Sequence, residues 1–262
     1  MKPVNDEVLY DIRGTIGWIT LNRPRVRNAL TFAMYEKLAD ICRSVTTDGP
    51  VKALVVTGAG ARAFAAGTDM AQFRGFSSQQ DALDYEHQMD VVLSAVEACP
   101  LPTIAAIAGA CTGGGAAIAA ACDLRIASAD LKFGFPIART LGNCLSIANL
   151  SRLCALIGPG RTKEIIFTAR LLGADEARAC GLIAELLPDH ACLIARAGEL
   201  AALVAGHAPI TLAATKEALR RLRIDGARAD DSDLVIKAYM SADFREGVEA
   251  FLAKREPVWR GK

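Results

Sequence analysis

Two clusters of small residues hold the arrangement in this chain most capable of chemistry. Ala63-Phe64-Ala65-Ala66-Gly67-Thr68-Asp69 follows a buried apolar run, and Gly109-Ala110-Cys111-Thr112-Gly113-Gly114-Gly115 sits where another such run turns into a helical pattern. Without side-chain bulk a ligand can approach the backbone closely, and N–H groups at a helix start stabilise negative charge. Two such N–H groups aimed at one carbonyl oxygen would make an oxyanion hole. Taken singly, each cluster reads equally as a tight turn between packed elements. Other chemistries lack their residues. Gly58-Ala59-Gly60 has no third glycine at dinucleotide spacing, no segment reads GxxxxGK[ST], and there is no GxSxG elbow. Gly158-Pro159-Gly160-Arg161 reads as a turn entering a helix. His87, His190 and His207 are too scattered to propose a metal site. The eight cysteines form no CxxC pair and lie mostly in apolar runs, so they read as small buried hydrophobes with free thiols.

The elements around these clusters are legible from periodicity. Val8–Arg13 and Thr15–Leu21, split by Gly14, predict a hairpin. Phe32–Val45 carries a helical stripe with Thr31 as its cap. Val51–Thr57 and Thr103–Ala108 are core strands, Ser78–Ala98 an amphipathic helix, Gly115–Ala121 a helix and Leu124–Ala127 a strand. Strands alternating with helices imply an α/β sheet with crossover connections. From about Ser146 the strand signal fades, and helical periodicity runs through Ile147–Leu156, Arg161–Thr168, Ala174–Ala179, His190–Ala205, Ile210–Arg223 and Asp230–Lys254. The expected organisation is an α/β core over residues 1–200 and a C-terminal helical region over 201–262 that packs against a neighbouring subunit.

Composition narrows the class further. The chain has 262 residues, 52% hydrophobic and 23% charged, which fits a well-cored globular protein. Thirty basic against twenty-nine acidic residues leave a net charge of +1, with no broad electrostatic footprint for nucleic acid or anionic membrane. Asp6 and Glu7 stand where a signal peptide needs apolar residues, so a cytoplasmic location is expected. Ala98–Cys122 lacks any charge, yet Pro100, Pro102 and the Gly113-Gly114-Gly115 triplet favour a buried strand, turn and helix over a membrane span.

LNRPRVRNAL at 21–30, AFAAGTD at 63–69, GGG at 113–115, CDLRIAS at 122–128 and EGVEAFLAKREPVW at 246–259 together resemble the enoyl-CoA hydratase/isomerase (crotonase) superfamily. The resemblance runs in order from about residue 8 to residue 262. It implies the ClpP/crotonase α/β fold, a spiral of ββα units with a C-terminal helical region, assembled as a homotrimer or a dimer of trimers. It also implies action on an acyl-CoA thioester as a lyase or isomerase, through an enolate held in an oxyanion hole, with no cofactor beyond the CoA of the substrate. Carried over, the hole's donors would be the backbone N–H groups of Thr68 and Gly114. Adenine and pantetheine contacts would come from Arg25, Ala29, Ala65, Ala66 and Asp69. Lys254 matches a lysine that in relatives reaches the CoA phosphates, sometimes of a neighbouring subunit. For Arg25 and Lys254 a solvated charge is the other reading.

The chain departs from the family at its acid/base groups. The glutamate that follows the glycine triplet in hydratases is replaced by Ala117, and the one in their Q-P-E segment by Ile137. Each such positioned group contributes about 10²–10⁴-fold, so CoA-thioester binding is better supported than hydration. The run Tyr85-Glu86-His87-Gln88-Met89 resembles the histidine-bearing helix of chlorobenzoyl-CoA dehalogenases, and Cys144 falls near the place of their nucleophile. His87 and Cys144 are thereby candidates for proton transfer and nucleophilic attack, or else an ordinary helix residue and a buried thiol. Arg139 could meet a substrate carboxylate or pair on the surface. Asp123 would cap or orient a turn. The acyl chain would face parts of Ala71–Met89 and Phe135–Cys144, where Phe73, Phe76, Phe135 and Ile137 suit an apolar pocket or the core. A catalytically silent acyl-CoA-binding protein is the alternative function. RNA binding, known for a few relatives, is disfavoured by the near-neutral charge.

Overall fold

A computed structural model describes residues 7–262; Asp6, half of the acidic pair weighed against a leader, lies outside the described residues. The chain opens with β1 (Val8–Arg13) and β2 (Ile16–Leu21), the expected antiparallel hairpin. Helix α1 (Phe32–Ser44) begins at Thr31, whose hydroxyl accepts the Met34 N–H, and it buries Tyr35, Leu38, Ala39 and Cys42 of the expected stripe. Next come β3 (Ala53–Gly58), β4 (Ala63–Ala65) and α2 (Gln79–Glu97). Ser78 and Asp81 close a capping box at the start of α2, satisfying amide groups that the first turn leaves free.

The unit of two strands and a helix then repeats. β5 (Thr103–Ile107), β6 (Ala110–Thr112) and α3 (Gly114–Ala121) are followed by β7 (Leu124–Ser128), β8 (Lys132–Gly134), α4 (Ile137–Thr140) and α5 (Ile147–Phe167). The uncharged stretch 98–122 is therefore two strands, a glycine turn and a helix. Among the described residues no single helix is long and apolar enough to cross a membrane. Gly158, at φ +73°, breaks α5 before Pro159, as the turn signal there predicts. The chain continues through β9 (Leu172–Gly173), α6 (Ala174–Ala179), β10 (Glu185–Leu187), α7 (His190–Ala205) and α8 (Pro209–Asp225).

Each repeat gives one strand to each of two sheets. The larger runs β1-β2-β3-β5-β7-β10, parallel beyond the hairpin, and the smaller runs β4-β6-β8-β9. Alternation along β3 splits the core: Leu54 and Val56 face the α1–α3 side, whereas Val55 packs with Trp18 and Ile104 under Leu193, Ala197 and Ala201 of α7. The sheet is thus covered on both faces. The boundary expected near residue 200 falls inside α7, which closes one of those faces.

Several expectations need correction. The small-residue clusters are not loops alone, because Ala63–Ala65 and Ala110–Thr112 pair as neighbouring strands of the second sheet. Strands also persist after Ser146, as β9 and β10. These four strands and β8, also missed, are two or three residues long, too short for alternation to register. The helical stretch 230–254 divides into α9 (Ser232–Tyr239) and α10 (Ala242–Leu252), because the Ser241 hydroxyl turns to accept the Phe244 N–H. Of the two roles expected for Asp123, the orienting one fits: its Oδ2 accepts from Thr103 N at 2.7 Å, at the start of β5, and pairs with Lys216 at 2.6 Å. The thiols are free, but Cys144 and Cys192 are exposed rather than buried.

Candidate active site

The β4 and β6 pairing delivers the two glycine clusters to one place. A Cβ on Gly113, itself at φ +52°, would lie 3.5 Å from the Gly67 Cα, so the two turns touch backbone to backbone. Gly115 is constrained still harder, since a Cβ there would meet the Ala65 carbonyl oxygen at 2.3 Å. The start of α3 can rest on β4 only without side chains between them. Beside them Leu30 N donates to Gly67 O and Asp69 N to Leu30 O, each at 2.8 Å. Those bonds leave the Thr68 N–H between them without a partner among the described hydrogen bonds, and the Gly114 N–H at the helix start has none either.

Both residues line a cavity of about 440 Å³ with mostly apolar walls. A hydrogen-bonded chain fixes its inner wall: Tyr35 Oη lies 2.9 Å from Thr68 Oγ1, which lies 3.1 Å from Tyr85 Oη. Burial pushes both phenols above their usual range, so they remain neutral. The Tyr85 ring meets Phe73 and Phe76 edge-on at 5.0 and 5.9 Å. Of the four apolar candidates, Phe73, Phe135 and Ile137 line the cavity, and Phe76 packs edge-on against Phe73 at 5.2 Å. Thr68→Val keeps the side-chain shape but strips both hydroxyl contacts and leaves the buried Tyr35 hydroxyl unpaired. Chemical denaturation should show a loss of about 1–3 kcal/mol.

The segment before α1 is stapled to this wall. Asn28, fully buried at φ +55°, accepts the Arg23 N–H through Oδ1 and donates to Ala63 O at 2.8 Å. Arg23 Nη1 reaches Ala29 O at 2.7 Å and Asp69 Oδ2 at 2.8 Å. The Ala71 N–H and then Arg23 hold the Asp69 carboxyl below its usual range, so it stays an anion. Within the CDLRIAS segment the buried Arg125 donates to Cys122 O at 2.6 Å and Leu182 O at 2.8 Å, joining the end of α3 to the chain ahead of β10.

The other sequence candidates fall as follows. Ala66 is exposed and lines the cavity, Ala65 is buried behind it, and Arg25 is exposed in the short turn Pro24–Val26. Lys254 is exposed just beyond α10, and nothing from α8 to the C-terminus lines the cavity. Ala117 and Ile137 both line it. Cys144 stands exposed at its wall, whereas His87 is exposed and outside the lining; the cavity takes in one of that pair and not the other. Arg139 is exposed and outside it too. Residues that local patterns did not single out are Tyr35, which reads as one more core position of a stripe, Asn28, Arg23 and Glu86, the neighbour of His87.

A spiral of ββα units that brings two small-residue turns to one apolar cavity defines a class of fold, and the comparisons agree with that fold. The chain matches the family model described as enoyl-CoA hydratase/isomerase over residues 11–262, and it belongs to that family. It is 31% identical to a short-chain-enoyl-CoA hydratase of Clostridium acetobutylicum, covering 96% of each chain. It is 32% identical to a crotonyl-CoA hydratase of Syntrophomonas wolfei, again covering 96% of each. Among solved structures, an enoyl-CoA hydratase/carnithine racemase from Magnetospirillum magneticum superposes with a TM-score of 0.89 at 33% identity, over 98% of this chain and 96% of that one. The fold is the crotonase fold.

Proposed function

We propose that this chain is an enzyme acting on an acyl-CoA thioester, stabilising the thioester enolate with the N–H groups of Thr68 and Gly114. The observation that carries the reading is the pair of unpartnered N–H groups at the wall of one mostly apolar cavity. Such donors, held by a sheet and a helix, are already aligned when charge develops on the oxygen. The acyl chain lies along Phe73, Phe135 and Ile137. The CoA runs past Ala66 and the Arg23–Asp69 staple, with Arg25 and Ala29 beside it; the chemistry needs no cofactor beyond that CoA. Exposed apolar side chains on α8 to α10, such as Leu222, Ile236 and Phe251, support self-association as a trimer or a dimer of trimers. In such an assembly Lys254 meets the CoA of a neighbouring subunit.

The presence of Ala117 and Ile137 in the cavity wall supports the silent acyl-CoA binder as the second reading. Calorimetric titration with butyryl-CoA, paired with turnover of a panel of CoA thioesters, separates the two. Saturable binding with turnover is the expected result. Binding without turnover of any thioester favours the silent binder, and no binding removes both readings.

A further inference from the structure

The reading above leaves the proton without a carrier, since an alanine and an isoleucine stand where hydratase carboxylates are expected. One carboxylate nevertheless reaches the cavity. Among the described residues, Glu86 of α2 is the only charged side chain that lines it. It sits half-buried between Tyr85, hydrogen-bonded to Thr68 Oγ1, and Met89, which shares the cavity wall. The loop that follows α4 is tied to the same helix, where the Ser146 hydroxyl donates to Asp90, one helical turn beyond Glu86, at 2.7 Å. The carboxylate thus lies beside the loop's attachment to the helix, one residue from the Tyr85 that bonds Thr68.

We propose that Glu86 is the acid/base residue of this site, moving a proton to and from the acyl chain of a bound CoA thioester. This rests on the reading of the cavity as a thioester site. In the step, a C–H bond next to the thioester carbonyl breaks and its proton passes to a Glu86 carboxylate oxygen. The electron pair forms the carbon–carbon double bond of the enolate, and the carbonyl oxygen takes the negative charge under the N–H groups of Thr68 and Gly114. Return of the proton to the same carbon restores the thioester. In a 3-enoyl thioester the enolate is conjugated, and return to the carbon two places further along shifts the double bond beside the carbonyl. Neither route consumes water or needs a second carboxylate. The site therefore suits proton exchange and double-bond migration rather than hydration. Burial and then the Asp90 carboxylate raise the pKa of Glu86, with the Ser146 N–H opposing, and the net direction strengthens it as a base.

The test uses the native enzyme, Glu86→Gln, Glu86→Asp and Asp84→Asn, the last on the exposed face of the same helix. Each is given butyryl-CoA in D2O, with deuterium at the carbon next to the carbonyl read by mass spectrometry. Each is also given 3-butenoyl-CoA, with crotonyl-CoA followed by its conjugated-thioester absorbance. Glu86→Gln should lose about 10²–10⁴-fold in both rates, while its calorimetric affinity for butyryl-CoA stays near native. Glu86→Asp should recover part of the loss, and Asp84→Asn should match the native rates. Native rates in Glu86→Gln overturn the proposal, as does a native enzyme that binds butyryl-CoA yet neither exchanges nor isomerises. A native enzyme that binds no thioester overturns the reading beneath it instead.

Discussion

Gly114→Ala is expected to lower thioester turnover by about 10²–10³-fold, the scale of losing one oxyanion-hole donor. On backbone grounds the substitution should be tolerated, because Gly114 begins α3 and alanine is the better helix former. Its side chain is the difficulty. A Cβ at this position would stand 1.8 Å from Tyr35 Oη and 3.3 Å from Thr68 Oγ1. The phenol oxygen stands where that methyl group would go, so it must shift, and its hydrogen bond to Thr68 is disturbed with it. Both proposed donors are then displaced by one methyl group. Adding Tyr35→Phe removes the oxygen and leaves the ring carbon that lies 3.1 Å away, so the double variant should recover part of the rate. Gly114→Pro goes further by deleting the N–H itself. kcat/KM measured beside a urea unfolding curve separates a misplaced donor from a misfolded chain. Native kcat/KM in Gly114→Ala would take this residue out of the site.

The second large effect runs in the opposite direction. The purified chain should hydrate crotonyl-CoA far more slowly than a relative bearing both glutamates, and Ala117→Glu with Ile137→Glu should raise that rate. Both positions already line the cavity, with 7% of each residue exposed, so the new carboxylates would face the same space. A positioned acid or base contributes about 10²–10⁴-fold, which makes a gain of at least about 10² the expected outcome for the pair. Stability should fall in return. Each new carboxyl group enters an apolar wall, and an unsatisfied buried polar group costs about 1–3 kcal/mol. Hydration that stays at the native level, in a variant that still folds and binds butyryl-CoA, would show that the cavity cannot hold water between the two groups.

These two expectations bear on how far kinship reaches. Relatives about one-third identical over nearly the whole chain define the family and the fold. Shared fold does not carry a shared reaction, because the chemistry resides in a few side chains grafted onto it. Here the two proposed donors, Thr68 and Gly114, share one cavity wall with Ala117 and Ile137, which stand where the resemblance places two carboxylates.

Much of the molecule was legible from local pattern. The hairpin, the Thr31 cap of α1, the start of α2 at Ser78 and the break at Gly158 depend on residues within a few positions of one another. Near-neighbour sterics and hydrogen bonding determine such features, so the order of residues is enough. The two glycine clusters were legible for the same reason, whereas the significance of Ala117 and Ile137 came from the family resemblance alone. What the tertiary structure alone decided is which distant residues meet. The short strands β4 and β6 exist because they pair with each other, and only that pairing sets Thr68 beside Gly114. Tyr35 belongs to the site because a bare glycine leaves room for its hydroxyl. Glu86 and His87 are neighbours in sequence, yet one faces the cavity and the other solvent. Successive helical residues differ by about 100° in direction, and burial of the apolar face, not the identity of either side chain, chose which of the two turned inward.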